Sequence, residues 1–317
     1  MTDKIKIIIY TTLGGIFIAK GIKKMFNKNN IDSKIVNNIT QIDIDKNNLN
    51  PNEYFFIIFP HTLNLFPSQK KYIIYQLEQY KQSPWINDQY KERMLDSLIT
   101  FDYSLENFRN FNENIQSKIY YLPIPIKNNF NIILSDFSEY DLLIFGSENE
   151  RRNKIIRHLS KKYNILFIKN LYGNDLYKII QKSKIILNIH FYLNAILETC
   201  RINETLYNNK LIISEEPDKE DWLNRNIYKN NIVFVEEIKD NLSNINKLEQ
   251  LIDFYLDKNN YSNFMKNNEN FIKKLNKISF YYFTKGLNEC GLINTPNKKY
   301  KFINEIQENI YKYNYFK

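Results

Sequence analysis

The sequence predicts an α/β protein: two Rossmann-like domains followed by a helical carboxyl-terminal tail. Three observations predict it. Short β-branched or aromatic runs recur along the 317 residues. Helix-length charged segments separate them, with apolar residues at helical spacing. The runs themselves are nearly all apolar, as expected of parallel strands covered on both faces.

The first run, KIKIIIY (4–10), reads as a strand, and GIFIAKGIKKMFNKNN after it as a helix. YFFIIFP (54–60), KYIIYQLEQ (71–79), SLITFDYS (97–104) and KIYYLPI (118–124) read as further strands. The densest proline site, PIPIKNN (123–129), marks a linker and divides an amino-terminal domain, 1–126, from 127–317. In the second half the strands are LLIFG (142–146), NILFIK (164–169), KIILNI (184–189), KLIIS (210–214) and NIVFVEE (231–237). ENERRNKIIRHLSKK and GNDLYKIIQKS between them carry helical spacing. The tail segments FIKKLNKISFYYF and KYKFINEIQENIYKYNYF read as amphipathic helix.

Composition narrows the function. With 43% hydrophobic and 15% aromatic residues the chain builds sizeable cores, so it is no disordered segment. Net charge +9 would suggest a nucleic-acid footprint, but the lysines are spread evenly and that footprint needs clustering. The heavy use of Asn, Ile, Lys and Tyr with only 7 Gly fits an AT-rich genome, such as that of a giant virus. Cys200 and Cys290 give neither a disulfide framework nor zinc spacing, which favours a reducing compartment: cytoplasm, or a virion if viral. No run approaches the ~20 apolar residues of a membrane span. Threonines and glycines interrupt IIIYTTLGGIFIA, so a strand, turn and helix fit it better than a leader.

In a chain this poor in glycine, the remaining ones mark constrained backbone. Gly14, Gly15, Gly146 and Gly173 all fall at strand-to-helix turns, where open α/β sheets bind ligands; serving the turns alone remains the other reading. No GxGxxG or Walker motif occurs, which disfavours an ordinary dehydrogenase or NTPase. His61 and His190 each follow a strand, while His158 lies in a charged helix and reads as surface. Asp43-Ile44-Asp45 imitates a metal-binding pair but sits in an Asn-rich stretch that reads as loop, so no metal site is expected. Gln76 and Glu78 end a strand, where they either contact a substrate or cap the next turn.

The second half carries a resemblance. LYKIIQKSKIILNIH is followed by seven residues, then Glu198, a helix and KLIISE. This resembles the donor-binding domain of GT-B glycosyltransferases, with His190 in the place of the first acid of Glu-x7-Glu and Glu198 in that of the second. FGS-x-NERR, NIH-x7-E-x2-R and IISE together resemble the CgeB-like, spore-maturation-type branch of the family-one-like transferases. The resemblance covers about residues 120–260. It implies a metal-independent hexosyltransferase without a cofactor, using a nucleotide sugar, UDP-hexose in the first instance, on a glycan or glycoprotein hydroxyl. Donor contacts are then expected from Gly146, Ser147, Arg151, Arg152, Tyr172, Gly173, Glu198 and Arg201. Acceptor contacts are expected from Gly14, Gly15, Gln76 and Glu78, and catalysis from His61 and His190. No nucleic acid partner is expected; a homo-oligomer is allowed. A catalytically silent GT-B-like nucleotide- or glycan-binding protein is the alternative.

Overall fold

The computed structural model describes residues 4–126, 138–239 and 241–294. Two sheets organise it. The first contains β1 (Lys6–Tyr10), β2 (Asp32–Val36), β3 (Glu53–Ile58), β4 (Tyr72–Gln76), β5 (Thr100–Asp102) and β6 (Ile119–Tyr121), in the order β2-β1-β3-β4-β5-β6. The second contains β7 (Tyr140–Phe145), β8 (Ile165–Ile168), β9 (Ser183–Asn188), β10 (Leu211–Glu215) and β11 (Val233–Val235), in the order β11-β10-β9-β7-β8. All neighbouring strands run parallel. The α/β expectation of two Rossmann-like domains with a carboxyl-terminal helix therefore holds.

The chain divides into two compact units, Met1–Pro125 with Leu275–Lys317, and Ile126–Lys274. The linker at 123–129 predicts instead a second domain of 127–317. The reason for the difference is visible in the helix Asn268–Glu289: its Phe283 ring packs on Phe26, Phe56 and Phe101 of the first unit, with centroids 4.8–6.2 Å apart. Burying each such ring contributes roughly 1.5–3 kcal/mol. KYKFINEIQENIYKYNYF and the 127–129 end of the linker lie outside the described residues.

Apolar continuity explains the strands. Phe55, Phe56, Ile57 and Ile58 of β3 are fully buried, as are Ile185, Ile186 and Leu187 of β9, because helices cover both faces. The strand that sequence reading missed, β2, is an edge strand. Its DSKIV is only partly buried, and an edge carries charge rather than an apolar run. Likewise, 41–49 is helix, not loop. Thr40 caps it, accepting from the Asp43 amide while the Asp43 carboxylate accepts from the Thr40 amide. Asp45 accepts from Gln41, so this pair of acids serves the helix surface.

Each sheet reverses its strand order once, between β1 and β3 and between β7 and β9. Chain paths diverge there, opening a crevice at the carboxyl edge. The segments leaving those four strands are 11–15, 59–62, 146–149 and 189–198. Half of the site residues singled out from sequence lie in them: Gly14, Gly15, His61, Gly146, Ser147, His190 and Glu198.

Candidate functional site

In the second unit, β7 ends at Phe145 and Gly146 takes φ +121. That φ favours glycine, and a Cβ there would stand 2.9 Å from Arg201 Nη2 and push the guanidinium away from this turn. Arg201 comes from the helix Thr199–Tyr207. Its Nη1 donates to Asn188 Oδ1 at 2.5 Å and to Glu198 Oε2 at 2.7 Å. No group among the described residues accepts from its Nη2. One edge of the cation is thus held in place, and the other is open over the Gly146 turn. Glu198 is 13% exposed. Burial works to raise its carboxyl, but Arg201 and Arg152 outweigh that and hold it below the usual range.

Two arginines expected among the donor contacts are engaged by the protein's own groups. Arg151 Nη1 donates to the His190 carbonyl at 2.7 Å, and its Nη2 donates to the Ile238 carbonyl at 2.6 Å and to Glu215 Oε1. Glu215, fully buried, also accepts from the His190 and Ile238 amides, both at 2.7 Å. This carboxylate therefore ties the ends of β9 and β10 to the chain leaving β11, and Arg151 is its counter-ion. Arg152, 1% exposed, donates from Nε and Nη2 to the Ile189 carbonyl at 2.9 and 2.7 Å, from Nη1 to the Ser147 carbonyl, and lies 3.4 Å from Glu198 Oε1. Burial, with Arg201 beside it, pushes it down to about 10. The physical reason for both corrections is the same: these cations fasten the loops of the switch point from behind. Arg201, three residues after the histidine loop ends at Glu198, is the one with an open edge.

His190 also differs from expectation. Its ring is fully buried, and neither nitrogen meets a hydrogen-bond partner among the described residues. Burial lowers its pKa, Glu198 and Glu215 oppose that, and Arg151 and Arg201 add to it, so the ring is neutral at neutral pH. Ser147 is exposed beside the Gly146 turn. Tyr172, 44% exposed, precedes the helix Gly173–Gln181 without a side-chain cap, and Gly173 takes φ 59.

In the first unit, Phe59 follows β3 with φ 59 and ψ 63. A bulky residue there costs on the order of 1–3 kcal/mol, and such strain clusters at functional sites. Gly15 is required beneath it, since a Cβ would stand 2.8 Å from the Phe59 ring; Gly14 is exposed. The bend presents His61, which stacks on Trp85 with centroids 5.1 Å apart and planes at 16°. Nδ1 of His61 lies 3.7 Å from Glu78 Oε1, beyond a hydrogen bond but within ion-pair reach. Burial lowers the imidazole pKa; Glu78 opposes that and Arg93 adds to it. Gln76, an expected acceptor contact, is instead fully buried. Its amide donates to Asp102 and to the Glu78 carbonyl and accepts from Tyr90, because a polar residue ending a central strand must be paired.

Sequence reasoning missed Asn188, Glu215 and Trp85. IISE did end a strand with an acid, a legible signal for Glu215; Trp85 lies in a turn without pattern. Among the described residues no cluster of three or more His, Cys, Asp or Glu is placed to hold a metal ion. No described helix is long and apolar enough to cross a membrane.

No family model matches the sequence. An uncharacterized protein of Acanthamoeba polyphaga mimivirus is 32% identical over 185 residues, 56% of this chain and 62% of that one. The match thus spans less than two thirds of that relative. Among solved structures, an alpha-glucosyltransferase in complex with UDP-glucose and DNA superposes with a TM-score of 0.55 at 11% identity, covering 91% of this chain and 100% of that one. A glycosyltransferase from Rickettsia africae gives 0.53 at 13% identity, covering 92% and 100%. The fold is GT-B. Anabaena HepE in complex with UDP-glucose gives 0.53 at 9% identity, covering 91% and 100%. At such identities the likeness is one of fold.

Proposed function

We propose that the protein is a GT-B glycosyltransferase of the CgeB-like type, transferring a hexose from a UDP-sugar to a glycan or protein hydroxyl. The observation that carries this reading is Arg201, pinned on one edge by Asn188 and Glu198 and open on the other over Gly146, at the strand reversal of the second sheet.

Chemically, the departing nucleoside diphosphate gains negative charge as the glycosidic bond breaks. A fixed cation already oriented stabilises that charge without reorganising. Arg201 is such a cation, and the Gly146 turn lets a phosphate approach backbone and guanidinium together. Glu198 keeps lone pairs beyond those facing Arg201 and Arg152, enough to accept from two ribose hydroxyls. His190, neutral and fully buried, lies behind this edge and supports the loop that carries Glu198. Ser147, Tyr172 and Gly173 line the same edge of the sheet. In the first unit His61 acts as the base that takes the acceptor proton. Its depressed pKa keeps it unprotonated at neutral pH, and Glu78 stabilises the imidazolium that forms.

Arginine rather than metal meets the diphosphate here, so transfer from UDP-glucose or a related donor should persist in excess chelator. Activity lost with chelator and restored by manganese would contradict the assignment. The His in the place of an acid at 190 also favours a second reading, a catalytically silent binder of the same nucleotide sugar. Slow donor hydrolysis by the wild-type protein, absent in His61→Ala, separates the two.

A further inference from the structure

Trp85 has no part in the reading above, yet its placement is constrained. Its indole is 52% exposed, in a turn after β4. One face is covered by the His61 ring at 16° and 5.1 Å. Its amide donates to Ser83 Oγ at 3.3 Å, and Ser83 Oγ donates to Glu78 Oε2 at 2.7 Å. The other oxygen of the same carboxylate faces His61 Nδ1. Glu78 therefore fixes the turn carrying the indole and places its other oxygen 3.7 Å from the imidazole. An exposed tryptophan held this way is a built surface rather than a stray apolar side chain.

We infer that Trp85 is the platform on which a pyranose ring of the acceptor stacks, so that the acceptor is a carbohydrate rather than a peptide. The electron-rich indole face attracts the polarised C–H bonds of a sugar ring, while its hydroxyls stay in water or reach polar neighbours. The surroundings of Trp85 match that requirement. Ser83 and Glu78 are tied to its turn by hydrogen bonds, its flanking residues Pro84 and Ile86 are exposed and half-buried, and Asn87 and Asp88 just beyond are exposed and polar. An extended apolar aglycone would need more covered area than one indole offers. His61 covers one face of the indole, so the sugar takes the other, and Trp85 holds it one ring away from the base.

The inference rests on the transferase reading only in naming that sugar the acceptor, and its test reads Trp85 directly. The chain has two tryptophans, so Trp222→Phe leaves Trp85 as the single indole. That protein is titrated with soluble oligosaccharides bearing hexose, N-acetylhexosamine, deoxyhexose or pentose termini, and with a Ser/Thr-rich peptide. The indole N–H resonance and the emission spectrum are followed. At least one oligosaccharide should shift both saturably. The same sugar as acceptor should show KM raised at least tenfold in Trp85→Ala, with kcat at saturation changed less than threefold and partial recovery in Trp85→Phe. A shift caused by the peptide alone, by no compound, or an unchanged KM in Trp85→Ala would overturn the inference. Sugar binding at Trp85 without UDP binding keeps the platform and removes the transferase; UDP binding with no sugar response does the reverse.

Discussion

Replacing Arg151 by alanine distinguishes a framework cation from a ligand contact. The side chain is buried and bridges the His190 carbonyl, the Ile238 carbonyl and Glu215. Removing one partner of a buried ion pair costs about 3–5 kcal/mol, because the other charge stays behind without compensation. Glu215 would keep the His190 and Ile238 amides, which places the loss near the lower end, about 3 kcal/mol. For a unit of this size that is a fall of roughly 6–12 °C in melting temperature. Denaturant titration supplies the free energy, and calorimetry with UDP on the folded protein supplies the affinity. Stability should fall by this amount. The double replacement Arg151→Met with Glu215→Leu should recover part of it, since neither charge is then stranded. A variant as stable as wild type that no longer binds UDP would refute the framework role.

Gly146→Ala introduces a Cβ against Arg201 in a backbone region that side chains avoid, worth on the order of 1–3 kcal/mol of strain, and should weaken UDP binding at least tenfold; unchanged affinity would detach Arg201 from the site. The acid limb of kcat/KM against pH should have its midpoint below 6.5, because burial lowers the His61 pKa, and Glu78→Gln should move it lower still by removing the opposing charge. A midpoint that rises in Glu78→Gln would break the pairing of these residues. Burial pushes Glu204 from an ordinary 4.5 up to about 7. The folded state then holds its proton more tightly than the unfolded one. The stability this contributes is complete below pH 4.5 and is lost as pH rises through about 7, amounting to at most about 3 kcal/mol. Glu204→Gln should therefore gain on wild type between those pH values in denaturant titrations; parallel stability curves would contradict it.

The fold was legible because parallel strands buried on both faces leave apolar runs such as YFFII and KIILN that need no partner to be recognised. An edge strand such as DSKIV leaves no such run, and the helix at 41–49 was hidden by its Asn-rich composition although Thr40 and Asp43 spell a capping box. At the site, positions were readable and roles were not. Strand ends located Gly146, His190, Glu198 and His61, since function in this architecture gathers at those edges. Which arginine keeps a free edge depends on carbonyls that come from distant loops. Ile189, Ser147 and Ile238 occupy Arg152 and Arg151, and nothing in NERR announces that. Of the two roles open to Gln76 in the sequence, the turn cap holds, its amide bonding the Glu78 backbone, while its further partners Tyr90 and Asp102 are set by packing, not by spacing.

The proposed nucleoside diphosphate site rests on Arg201 and Glu198 at the strand reversal of the second unit. Calorimetric titration of UDP into wild type, Arg201→Gln and Glu198→Gln tests it most directly. Each replacement removes charge-assisted hydrogen bonds worth roughly 1–3 kcal/mol, a tenfold to hundredfold loss of affinity. Wild type should bind UDP more tightly than uridine, Arg201→Gln should erase the difference between them, and Glu198→Gln should weaken both. Equal UDP affinity in all three proteins, or no UDP binding by wild type, would contradict it.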